Sequence, residues 1–126
     1  MSPLAQSLWV ALGAAVGANA RFWIGEFFKA RWEHPFPWAT LTINLLGSFL
    51  IGLAVVILAD RPAHWHLFVV VGLLGGFTTF SAFSIENVRL MQEGQAGLSL
   101  LYSLGSCGLG ISLAWAGFVI GTKVIA

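Results

Sequence analysis

The run Gly75-Gly76-Phe77-Thr78-Thr79-Phe80-Ser81-Ala82-Phe83-Ser84 places two glycines, four hydroxyls and three phenylalanines inside an otherwise apolar stretch. Backbone within hydrocarbon must satisfy its own hydrogen bonds, so a helix-weakening glycine pair beside clustered hydroxyls implies a buried, solvated surface and not a lipid anchor. An interruption at Gly75 and Gly76 would free carbonyls able to hold a cation or to pair with the hydroxyls of Thr78 and Thr79. Phe80 and Phe83 are three apart and share a face if helix resumes after the break. Such a pair is ordinarily a packing stripe. Its rings also carry positive edges, which can touch a partly dehydrated anion without the tight grip of a full charge.

Other polar groups fall at helical spacing. Thr40 and Asn44 are four apart and present a hydroxyl and an amide in one direction, as interhelical glue or as ligands. Tyr102 and Ser106, also four apart, add hydroxyls to one face of a later segment, and Glu86 and Arg89 are spaced to pair at a span end. Arg21, near Asn19, reads as a structural anchor that snorkels or holds an internal carbonyl, with anion contact as the alternative. No carboxylate lies in the middle of an apolar stretch, which argues against proton-coupled cation transport. Neutral donors, aromatic edges and freed carbonyls fit passage of a small anion or a small polar solute.

These residues require membrane helices to position them. Of 126 residues, 58% are hydrophobic and 9% are charged, outside the balance of soluble domains. Four nearly charge-free stretches, at about 4–25, 38–59, 66–88 and 97–122, match the roughly 17 to 25 residues a helix needs to cross a bilayer. The expectation is an all-α integral membrane protein, one transmembrane domain over residues 1–126, with the third helix broken near Gly75–Thr79. The first stretch lacks a basic leader region and is followed at once by others, so a cleaved signal peptide is not expected. Trp23, Trp32, Trp38 and Trp65 fall near span ends as belt residues. His64 and His66 lack the thiolate or carboxylate partners of a metal site and read as solvated loop residues. Cys107 reads as a small packing residue. Lys and Arg are nearly balanced between the two faces, with a slight bias placing the first and third loops in the cytoplasm, and either orientation or both together stays open. A net charge of +1 without a basic run gives no sign of nucleic acid binding. Small residues recur four apart at Gly13/Gly17, Ser48/Gly52, Gly72/Gly76 and Gly117/Gly121, which favours tight helix packing. A pathway through so short a chain is easiest to build at a subunit interface, so an oligomer is expected.

With the residues in view, the chain resembles the Fluc (CrcB-like) family of fluoride channels. The likeness covers nearly the whole length: Gly17 through Arg21, Thr40-Leu41-Thr42-Ile43-Asn44-Leu45, and the specific run from Gly75 to Ser84. The resemblance implies a dual-topology antiparallel homodimer in the cytoplasmic (inner) membrane, with two pores along the interface and passive fluoride efflux that relieves fluoride toxicity. It also implies that Phe80 and Phe83 line the pores and that Asn44 faces the ion. Thr40, Thr79, Tyr102, Ser106 and Glu86 would belong to the polar track, a sodium ion would sit at the dimer centre on the carbonyls of Gly75 and Thr78, and Arg21 would be structural. One departure is Gly110, which stands where some members carry a hydroxyl one turn beyond Ser106. A carbonyl, water or neighbouring side chain must substitute there, or the track is shorter.

Two other readings remain. A small multidrug-type dual-topology transporter shares the size and span number but calls for a membrane-embedded glutamate in the first span, where the first acidic residue is Glu26 at the span's end. A non-conducting scaffold subunit would use Asn44 and the hydroxyls only as glue. No nucleophile with a plausible base points to an enzyme.

Overall fold

The computed structural model describes residues 1–126, and every regular element is helical. Helix α1 (Pro3–Arg31) starts at Ser2, whose hydroxyl accepts the Ala5 N–H at 3.2 Å, while Pro3 occupies the first turn where its missing amide donor is not needed. A proline-containing loop leads to α2 (Trp38–Ile57). The third span is composite. Short α3 (Ala63–His66), a π-helical segment (Leu67–Leu74) and α4 (Gly75–Phe77) run up to extended Thr78 and Thr79, after which α5 (Phe80–Gln92) resumes. A tight turn follows in which Gly94 takes φ 75° and the Gln95 N–H closes on the Leu90 carbonyl at 2.8 Å, and α6 (Ala96–Ile125) completes the chain.

Three stretches are long and apolar enough to cross a membrane by composition: Trp38–Ile57, Ala63–Gln92 and Ala96–Ile125. Helix α1 has the length, at 29 residues, but Gln6, Asn19, Arg21, Glu26 and its many small residues lower its hydropathy. It also continues to Arg31, past the expected end near residue 25. Charged residues in its last turns mark an interface and do not stop a helix, so the helix outruns the apolar stretch expected to lie in the membrane.

Four helices of this kind cohere in lipid by backbone approach, because apolar side chains gain little from each other in a medium as oily as themselves. Helix α1 lies along the first half of the third span: Gly13 and Gly17 rest on the carbonyls of Phe68 and Leu73, and Gly72 and Gly76 rest in turn on Val10 and Ala14. Helices α2 and α6 make the second close crossing, with Gly52 against the Ala114 carbonyl and Gly117 against that of Phe49. The chain's own core is correspondingly small, built around Ile43, Leu74, Phe77, Leu90 and Tyr102, while Leu12, Leu104, Ile111 and Trp115 point outward. That outward apolar surface suits contact with lipid.

The break expected near Gly75–Thr79 is present and falls at the later end of that range. Gly75 keeps helical angles (φ −63°, ψ −38°) and Gly76 serves the crossing with α1, whereas the break falls at Thr78 and Thr79. The wide turns before it were not foreseen. They close bonds such as Gly75 N–H to the Val70 carbonyl, a pattern that recurs at functional positions in helices.

Candidate functional site

The break is held by side chains. Thr78 (ψ 156°) and Thr79 (φ −147°, ψ 116°) are extended, so neither can continue the helical ladder. The Thr78 N–H and hydroxyl both donate to the Leu74 carbonyl, each at 3.0 Å. The Thr79 N–H donates to Asn44 Oδ1 at 2.8 Å, and Asn44 Nδ2 donates back to the Thr79 carbonyl at 3.0 Å. The Thr79 hydroxyl accepts the Ala82 N–H at 3.2 Å and so caps α5. Arg21 Nε donates to the Gly76 carbonyl at 3.2 Å, which is the internal-carbonyl arrangement considered for it.

These diversions matter for two carbonyls. In an unbroken helix the Thr79 N–H would serve Gly75 and the Ala82 N–H would serve Thr78. Asn44 takes the first donor and the Thr79 hydroxyl takes the second, so both carbonyls lose their helical partners. Gly75, Thr78, Thr79, Asn44, Ser48 and Phe80 line one open groove of about 300 Å³. Phe80, at its edge, is 79% exposed, and Gly75 is exposed as well. No group of three or more His, Cys, Asp or Glu side chains could hold a metal, so a cation here would rest on neutral oxygens.

A second arrangement leads away from the groove along α5. The rings of Phe80 and Phe83 lie 5.8 Å apart at 42°, Phe83 meets Tyr102 edge-on at 4.9 Å, and Tyr102 meets Phe36 at 5.2 Å. Beside these rings the Glu86 carboxylate collects two hydroxyls: Thr40 donates to Oε2 at 2.9 Å and Tyr102 to Oε1 at 3.2 Å. Glu86 therefore engages Thr40 and Tyr102, and the expected Glu86–Arg89 ion pair does not form; the salt bridge present joins Lys29 and Glu26 at 3.9 Å. Ser106, one turn beyond Tyr102, has a buried hydroxyl oxygen with no partner in the chain.

Most sequence-derived candidates thus fall into two adjoining groups. Asn44, Gly75, Thr78, Thr79 and Phe80 meet at the break, while Phe83, Thr40, Glu86 and Tyr102 form the ladder. Ser106 and Arg21 stand to either side. Sequence reasoning missed Phe36, whose N–H donates to His34 Nδ1 at 3.0 Å and whose ring extends the ladder. It read Ser48 only as a packing residue, yet Ser48 Oγ lies 3.4 Å from where a Cβ on Gly110 would be, so a hydroxyl from α2 occupies the place next to the missing one. It also missed Asn87, Ser99 and Ser103, a buried polar cluster whose signal was two serines four apart facing an asparagine across a short turn.

A model of the family described as CrcB-like protein, Camphor Resistance (CrcB), matches residues 8–118. A protein from Acidobacterium capsulatum named "Fluoride-specific ion channel FluC" is 43% identical over 122 residues, covering 94% of this chain and 98% of the relative. Proteins of the same name from Magnetococcus marinus and Thermus thermophilus are 45% and 43% identical, each over 94% of this chain and 99% and 94% of the relative.

Proposed function

The chain belongs to the CrcB-like family, and from that premise we propose that it is a fluoride-selective channel giving passive efflux of the anion across the cytoplasmic membrane. Fluoride is small and strongly hydrated, so a narrow path must replace its water with several donors and then release it. The groups at hand are suited to this. Asn44 uses one amide hydrogen on Thr79 and keeps a second, Ser48 and Ser106 supply hydroxyls, and Phe80 and Phe83 supply ring edges. None carries a full positive charge, which favours passage over capture. A channel of this kind needs no covalent step.

Phe80 is the observation that carries the reading. A groove lined by polar backbone is a poor lipid-facing surface, and with Phe80, 79% exposed, at its edge it is what one wall of a path looks like when the other wall comes from a second copy. The protein thus works as an antiparallel homodimer with two paths along the interface, inserted in both orientations, as the near balance of Lys and Arg allows. A sodium ion at the dimer centre fits the chain's own oxygens, since the Gly75 and Thr78 carbonyls have lost their helical donors and both residues line the groove. When bound, sodium supplies fixed positive charge beside the anion path. The biological outcome is relief of fluoride toxicity: hydrogen fluoride enters as a neutral acid, dissociates in the cytoplasm, and the trapped anion leaves down its gradient.

The deciding experiment is fluoride efflux from liposomes containing only the purified protein, with chloride-loaded vesicles alongside. Fluoride release well above empty vesicles, with chloride retained, is the expected result. Release no faster than from empty vesicles would return the chain to the scaffold reading.

A further inference from the structure

Directly behind the aromatic ladder lies a polar cluster that the proposed path does not use. Asn87, 8% exposed, donates from Nδ2 to the Phe83 carbonyl at 2.9 Å, one turn back on α5. Its Oδ1 accepts two hydroxyls from α6, Ser99 and Ser103, each at 2.8 Å. The oxygen's two lone pairs are thereby filled, and the amide can point only one way, because a flipped amide would set its oxygen against the Phe83 carbonyl. Ser99 and Ser103 are four apart and present both hydroxyls on one face of α6.

Sequence neighbours of this cluster bear the ladder's chemistry. Glu86 precedes Asn87 and accepts from Tyr102, which precedes Ser103. Phe83, whose carbonyl the Asn87 amide holds, meets Tyr102 edge-on at 4.9 Å. Two parallel rungs therefore join α5 to α6: Glu86–Tyr102 at the ladder, and Asn87–Ser99/Ser103 behind it. The glycine crossings lie elsewhere, between α1 and the third span and between α2 and α6, so they do not set the register of α5 on α6.

We infer that Asn87 is a positioning residue for conduction, fixing the register of α5 against α6 so that the Phe83 edge stands where the passing ion meets it and the Tyr102 hydroxyl reaches Glu86. It acts through those residues and does not touch the ion. An apolar residue of similar volume at this position could hold the helices together, but it would leave their sliding and rotation unspecified, and two serine hydroxyls would lose their acceptor. The inference rests on the channel reading, and the test separates the two.

Fluoride flux per folded, vesicle-incorporated protein is measured for the wild type, Asn87→Leu, the double variant Ser99→Ala/Ser103→Ala, and each combined with Tyr102→Phe. Folded protein is quantified by size-exclusion profile and thermal unfolding. The expected result is a per-protein flux lowered about tenfold in Asn87→Leu and several-fold in the double alanine variant, as loss of buried hydrogen bonds of ordinary strength would give. Both effects should shrink when Tyr102→Phe has already removed the neighbouring rung, because residues acting as one unit are not additive. Per-protein flux within about twofold of wild type in every folded variant, or effects that multiply unchanged with Tyr102→Phe, would overturn the inference and leave the cluster a stabilising contact only. If Asn87→Leu does not fold, the double alanine variant decides alone. Absence of flux from the wild type would instead remove the channel reading.

Discussion

Asn44 and Thr79 meet as two peptide groups do in paired strands: the Asn44 oxygen takes the Thr79 N–H at 2.8 Å, and its nitrogen gives to the Thr79 carbonyl at 3.0 Å. One side chain from α2 thus substitutes for the helical acceptor that the Thr79 N–H lacks and adds a donor to its carbonyl. The arrangement makes the break stable at a depth where open backbone groups are costly.

Asn44→Leu removes both bonds at nearly constant volume. It should destabilise the protein by about 2 kcal/mol, the worth of two hydrogen bonds of ordinary strength. Thermal unfolding in detergent reads the loss, and the fluoride flux of the surviving folded protein should fall with it. An unchanged unfolding temperature would show that the break holds without the amide.

Phe80→Ile and Phe83→Ile separate path from packing. Phe80 has few neighbours of its own, so its replacement should alter the stability of the single chain by less than about 0.5 kcal/mol. Phe83 loses its edge contact to Tyr102, worth about 1 kcal/mol. Both should lower fluoride flux about tenfold while leaving the elution position on a sizing column unchanged, since a lost ring-edge contact to the ion is of that order. Wild-type flux in both variants would confine the rings to packing.

Cation dependence follows from the two carbonyls without helical donors. Prolonged dialysis from sodium into a bulky organic cation should lower the unfolding temperature and the flux together, and sodium should restore both, because a ligand bound only to the folded state stabilises it by mass action. Gly75 can be tested in the same assay. A side chain there meets only the Val70 carbonyl at 3.8 Å, so Gly75→Ala should fold, and any loss of sodium response would report on the groove. Indifference of the wild type to sodium sinks this prediction.

Glycines in α1 should behave oppositely according to what they face. Gly17→Ala drives a methyl into the Leu73 carbonyl and should cost about 2 kcal/mol or more. Gly25 has nothing within 4 Å, and Gly25→Ala should be neutral or stabilising by up to about 1 kcal/mol through helix propensity. Expression level and unfolding temperature distinguish them, and equal behaviour would contradict the crossing described above.

Ser106→Ala deletes a buried hydroxyl oxygen that has no partner within the chain. Stability should be unchanged or slightly higher, since nothing in the protomer is broken, whereas fluoride flux should fall if the hydroxyl serves the ion. A drop in stability with flux preserved would assign Ser106 to a structural bond with a second copy.

Much of this was legible in the sequence because membrane helices declare themselves by composition and because Gly75 to Ser84 departs so sharply from it. The Thr40/Asn44 and Tyr102/Ser106 spacings placed hydroxyls and amide on the right faces by helical period alone. What escaped were features set by tertiary contact. The break falls at Thr78 and Thr79, the later end of the expected range, because α1 holds the glycines in helix and Asn44, from another element, completes the threonine backbone. Glu86 exchanged its expected partner Arg89 for two hydroxyls on other helices, and the Asn87 cluster depended on how α6 folds back after Gly94. Periodicity describes one helix at a time, and none of these relations lies within one helix.

The interruption at Thr78 and Thr79 has an electrical consequence as well. Ending one helix and starting another at depth brings two backbone dipoles to the groove, and the start of a helix carries roughly half a positive elementary charge. Phe80 and Ser81 open α5 there, so an anion beside Phe80 is offered a positive field that belongs to no ionisable side chain. That field does not titrate, and no charge-neutralising substitution can remove it.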